Sequence, residues 1–80
     1  MANSYTSRIS TLISIIDSAM TALRKAGGQS GSMYKMLTNL ATFLVEYKSS
    51  IESVEEDEKI EKEVAALEVF INSYVQIREA

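Results

Sequence analysis

Eighty residues make one domain, 1–80, and a small one, which buries only about 60% of its unfolded surface. The chain has no Cys and no His. That excludes disulfides, thiolate or imidazole metal sites, a cysteine nucleophile and the commonest general base. The net charge of −3 is unevenly spread: residues 1–50 carry five Lys/Arg against two acids, and residues 51–80 carry three against nine. Neither part offers the dense cationic face that a phosphate backbone requires, so nucleic acid is not expected as a partner.

With no Pro, and with all three Gly at 27, 28 and 31, the chain reads as all-α with one obvious break. Its hydrophobic fraction of 46% is that of a folded domain rather than a disordered one. Residues 3–26 form the first expected helix, capped by Asn3 or Ser4. Tyr5, Ile9, Leu12, Ile16, Ala19, Leu23 and Ala26 recur at helical spacing and define its core seam, with Ile13 and Met20 beside them and Ile15 at one edge. The opposite face, Ser10, Thr11, Ser14, Asp17, Ser18 and Thr21, reads as a solvated face or as a small-residue face admitting another helix. Arg24 and Lys25 suit the helix C-terminus electrostatically.

Residues 27–32, GGQSGS, form the expected loop, with Gly27 or Gly28 left-handed at the helix end and Ser30 or Ser32 capping the next helix. The loop lacks the Lys and the preceding strand of a phosphate-binding motif. The second helix, 31–53, carries an unbroken apolar heptad seam: Met33, Leu37, Leu40, Leu44, Tyr47, Ile51 and Val54. Met36 and Phe43 widen it on one side, and Tyr34, Ala41 and Val45 on the other. An arc covering over half a helix calls for neighbours on two sides, so this helix is expected to be the central one.

The next seam is Ile60, Val64, Leu67, Ile71 and Tyr74. Six residues from Val54 to Ile60 rotate the apolar face by about 120° on an ideal helix, so a turn is expected near 53–58 rather than one continuous rod. Ser53 with Glu56 has capping-box spacing, and Asp57 is a second candidate cap. The third helix then spans 56–78, with Glu55–Lys59 and Glu58–Lys62 in the favourable order for ion pairs. Its acidic start lacks the glycine and alternating ligands of a calcium loop and reads as a solvated helix N-terminus.

The fold expected is a small antiparallel three-helix bundle, helices about 3–26, 31–53 and 56–78, with completion by oligomerisation as the alternative to a closed core. No side-chain set supports catalysis, so the chain is expected to be non-enzymatic, with no cofactor and no metal. The expected function is protein–protein interaction through an apolar helical face: an adaptor, chaperone, regulator or inhibitor, with homo-oligomers expected. The alternative is a self-assembling structural subunit. Ile15, Phe43, Val69 and Phe70, at the edges of the apolar arcs, are the candidate interface. No apolar run approaches the ~18–20 residues of a membrane span, and MANSYTSRIS lacks the layout of a secretory signal, so a cytoplasmic location is expected.

Overall fold

The protein is described here from a computed structural model, in which residues 4–28, 30–55 and 57–76 are placed. They form α1 (Ser4–Lys25), α2 (Ser32–Ile51) and α3 (Glu58–Ile71), the last continued by a π-helical turn over Asn72–Gln76. The helices run up, down and up. Tyr5 and Arg8 of α1 bond to Asp57 and to Glu61 and Glu68, while Ala19 and Leu23 share a cleft with Tyr74 and Val75, so α1 and α3 are parallel. Tyr47 bonds to Glu63, and Leu37 lies across that cleft from Val75, so α2 is antiparallel to α3. The bundle is elongated, 42 × 21 × 16 Å.

The expected seams make the core, except that Val54, the last residue of the second seam, falls in the turn after α2 and is exposed. Ile9, Leu12 and Ile16 of α1, Leu37, Leu44 and Ile51 of α2, and Val64 and Ile71 of α3 are buried together with Tyr5, Ala19 and Val75. Each heptad step returns a side chain to the same face, which is why Leu37, Leu44 and Ile51 line up. The flanking seam residues Met33, Leu40, Tyr47, Ile60, Leu67 and Tyr74 are half-buried against this core.

The central helix is α1, not α2. Its backbone lies close to both α2 and α3, whereas α2 and α3 scarcely approach each other. The reason lies in side-chain size. α1 presents five buried core residues to its two neighbours and keeps its Ser/Thr face largely in solvent. The facing sides of α2 and α3 carry Leu40, Tyr47, Leu67 and Tyr74, too bulky for a close backbone approach. Part of the wide apolar arc of α2 is therefore left at the surface, with Phe43 and Val45 about half exposed.

The helix ends also differ from the expected ones. Gly27 is left-handed (φ 81°), Gly28 N–H donates to Leu23 O at 2.7 Å and Gly27 N–H to Arg24 O at 3.0 Å, a Schellman closure of α1. Ala26 falls in this closure and is exposed, not in the core. Neither Ser30 nor Ser32 caps α2: the N-cap is Gly31, which has no side chain to bond, and Ser32 is already the first helical residue. A turn over residues 52–54 follows Ile51, as the phase shift requires. Asp57 caps α3, its carboxylate accepting from Ile60 N–H at 2.9 Å, so the cap is Asp57 rather than Ser53. Ser53 stands four residues too early to serve, and Glu56, its expected partner, lies outside the described residues, as do Asn3 and residues 77–78. Glu55 precedes α3, so only Glu58–Lys62 forms within the helix, at 3.4 Å.

Candidate interaction surface

The side of the bundle turned away from α1 is built by α2 and α3. Tyr47 Oη donates to Glu63 Oε1 at 2.7 Å, which shows the side of each helix that faces the other. Phe43 is one turn before Tyr47 and shares its face; Phe70 is seven residues after Glu63 and shares its face. Antiparallel register then sets Phe43 near the level of Leu67, and Phe70 near that of Leu40. Phe43 stacks on Tyr47 with centroids 5.8 Å apart, and Phe70 on Tyr74 at 5.7 Å. Both phenylalanines are nearly half exposed, 47% and 49%, which leaves two aromatic pairs astride one groove with an apolar side open to water.

The four candidate residues therefore divide into two groups. Phe43 and Phe70 belong to this groove. Ile15 is seven residues after Arg8 and so lies on the side of α1 that faces α3, where it is half-buried against the core. Val69, the most exposed large apolar residue at 67%, is rotated about 100° from both Glu68 and Phe70 and joins neither face. Tyr47 and Tyr74 were not expected as part of an interaction surface, though the signal was present: Phe-x-x-x-Tyr occurs at 43–47 and again at 70–74.

On the opposite flank, Arg8 clamps α3. Its Nε and Nη2 hold the two oxygens of Glu68 at 3.0 and 2.6 Å, and Nη1 reaches Glu61 at 2.8 Å. The hydrogen bonds to Glu68, then those to Glu61, raise the guanidinium pKa further above its already high value, and the same fork holds the Glu68 carboxyl below the usual range. Burial, and then the bond to Glu63, push the Tyr47 phenol up to about 12. The Arg8 and Glu68 shifts arise from a helix-to-helix link and the Tyr47 shift from burial first and such a link second.

A half-open cleft of about 460 Å³ lies at the end of the bundle near Gly27 and Gly28. Ala19, Ala22 and Leu23 line it from α1, Met33 and Leu37 from α2, and Tyr74 and Val75 from the π turn. Among the described residues, small alanines on one wall and the widened turn on the other leave this space unfilled. Among the described residues, no group of three His, Cys, Asp or Glu is arranged to hold a metal ion, and no helix is long and apolar enough to cross a membrane. No protein-family model, no curated protein and no solved structure matches this chain.

Proposed function

We propose that this chain is a non-enzymatic protein–protein interaction module, in the class of small adaptors, chaperones, regulators and inhibitors. It acts in the cytoplasm through the α2/α3 groove, and its first partner is a second copy of itself. The observation that carries this reading is the pair of aromatic stacks, Phe43–Tyr47 and Phe70–Tyr74, left half open on one side of the bundle. Large rigid aromatics in a groove supply contact area at low entropic cost, and a two-fold pairing brings the same groove to itself. Light scattering on a sizing column tests it. At about 500 mM salt, where contacts between charged ends are screened, the wild type is expected to elute as a dimer and Phe43→Glu as a monomer with unchanged helicity; a monomeric wild type at high concentration, or a dimer indifferent to Phe43→Glu and Phe70→Glu, overturns it.

A second reading, a structural subunit that assembles with itself, is favoured by the separation of charge along the 42 Å axis. The loop end carries Arg24, Lys25 and Lys35, and the opposite turn carries Glu52, Glu55, Asp57 and Glu58.

A further inference from the structure

The two ends of the bundle differ in both shape and charge. At the loop end, residues 18–45 contain three cations and no acid, and residues 69–76 contain no charge at all. The apolar cleft lies at this end, walled by Ala22 and Leu23 of α1 and by Tyr74 and Val75 beyond α3. At the other end, the turn over residues 52–54 and the stretch leading into α3 project Glu52, Glu55 and Asp57 into solvent, with Glu58 opening α3. Within that acidic tip stands one apolar side chain, Val54, 37% exposed. One end thus holds an apolar recess and the cations flanking the α1–α2 loop, and the other an apolar side chain among carboxylates.

We propose that a second copy of this chain docks end to end, its acidic turn after α2 seating Val54 in the cleft bounded by Ala22, Leu23, Met33 and Tyr74. Opposite potentials steer the ends together and fix polarity, while burial of the apolar knob holds them. The contact joins two different surfaces, so it does not close on itself: each added copy presents a recess at one end and a knob at the other, and the product is an open linear array. This surface meets the α2/α3 groove at Tyr74, and Phe43 lies outside it.

Sedimentation or light scattering of the full chain carrying Phe43→Glu, which lies outside the recess, removes groove-mediated pairing from the readout. At low salt, about 20 mM, its mean mass is expected to rise steadily with concentration and without a plateau. At about 500 mM the association weakens by about tenfold or more, because the Debye length shrinks below the spacing of the charged groups. Glu52→Lys with Glu55→Lys blocks the knob, and Ala22→Trp blocks the recess; each alone holds the mass at monomer. Mixed together, the two blocked proteins still own one good knob and one good recess, and the expected product is a discrete two-chain complex. Ala22→Lys, which places a charge at the recess, replaces Ala22→Trp if circular dichroism shows the latter unfolded. A mass independent of concentration at low salt, growth that survives either block, or a mixture that stays monomeric overturns the proposal. So does a recess filled by the chain's own residues or by a small apolar ligand, which would leave the mass constant and the melting point sensitive to Ala22→Trp.

Discussion

Arg8 ties α1 to α3 by a two-pronged bond to Glu68 and a third contact to Glu61, with about two-thirds of the Arg8 and Glu68 side chains shielded from solvent. Such a fork has a fixed geometry, yet solvent screening limits its worth to about 1 kcal/mol. Glu68→Gln should cost about that much in urea unfolding at neutral pH. Glu68 titrates below its ordinary value near 4.5, so its contribution is present above that pH and lost as the pH falls below it. The stability gap between wild type and Glu68→Gln should therefore narrow as the pH falls below 4.5; a gap that does not narrow with acidification contradicts the assignment. Tyr47 gives the alkaline counterpart. Its phenol is raised from 10.0 to about 12, so its contribution is present below pH 10 and lost as the pH rises between those values. In a spectrophotometric titration one tyrosine should ionise late, and Glu63→Gln should bring it earlier. Neither link was legible in the sequence. The apolar seams place Arg8 and Tyr47 on their faces, but which carboxylate each meets depends on the rotation of α3 about its axis.

At the scale of elements, each helix end rests on a short-range device. Asp57 accepts from Ile60 N–H, and its carbonyl accepts both Glu61 N–H at 3.0 Å and the Tyr5 hydroxyl at 3.0 Å. Asp57→Ala should cost about 1 kcal/mol by thermal or urea denaturation, the usual worth of an N-cap. Tyr5→Phe should cost less than that, since Glu61 N–H still satisfies the carbonyl and the buried ring is kept. Gly27 has open space around it but a φ of 81°, so Gly27→Ala should destabilise by about 1 kcal/mol through backbone strain alone. The glycine closure and the turn after α2 were legible, the first from composition and the second from the jump in apolar phase between Val54 and Ile60. The cap of α2 was not. Serines stood on both sides of Gly31, and which residue starts a helix is set by backbone geometry that three candidate small residues satisfy equally. The π turn at 72–76 leaves no mark in the seam, because Ile71 and Val75 are spaced as an ordinary helix would space them.

At the scale of the whole molecule, the bundle closes one core and leaves one groove and two unlike ends. Leu44, fully buried between α2 and α1, should lose about 2–5 kcal/mol on change to Ala, a large share of what a domain of this size holds. Three helices in alternating direction followed from periodicity and breaks. Their order of centrality did not: the widest apolar arc suggested α2, and the centre is α1, because an arc can be met by water as well as by a neighbour. Phe43 and Phe70 were found as edge residues, but only the antiparallel register brings them to a common groove, and it sets Val69 apart from them. The most direct measurement is therefore the molar mass of the wild type and of Phe43→Glu in solution, by light scattering at two salt concentrations. At the higher salt, about 500 mM, where the end-to-end contact is screened, a dimeric wild type reduced to monomer by Phe43→Glu is the expected result. A wild type that stays monomeric across the accessible concentrations, or a variant that pairs as well as the wild type, contradicts the groove as the working surface.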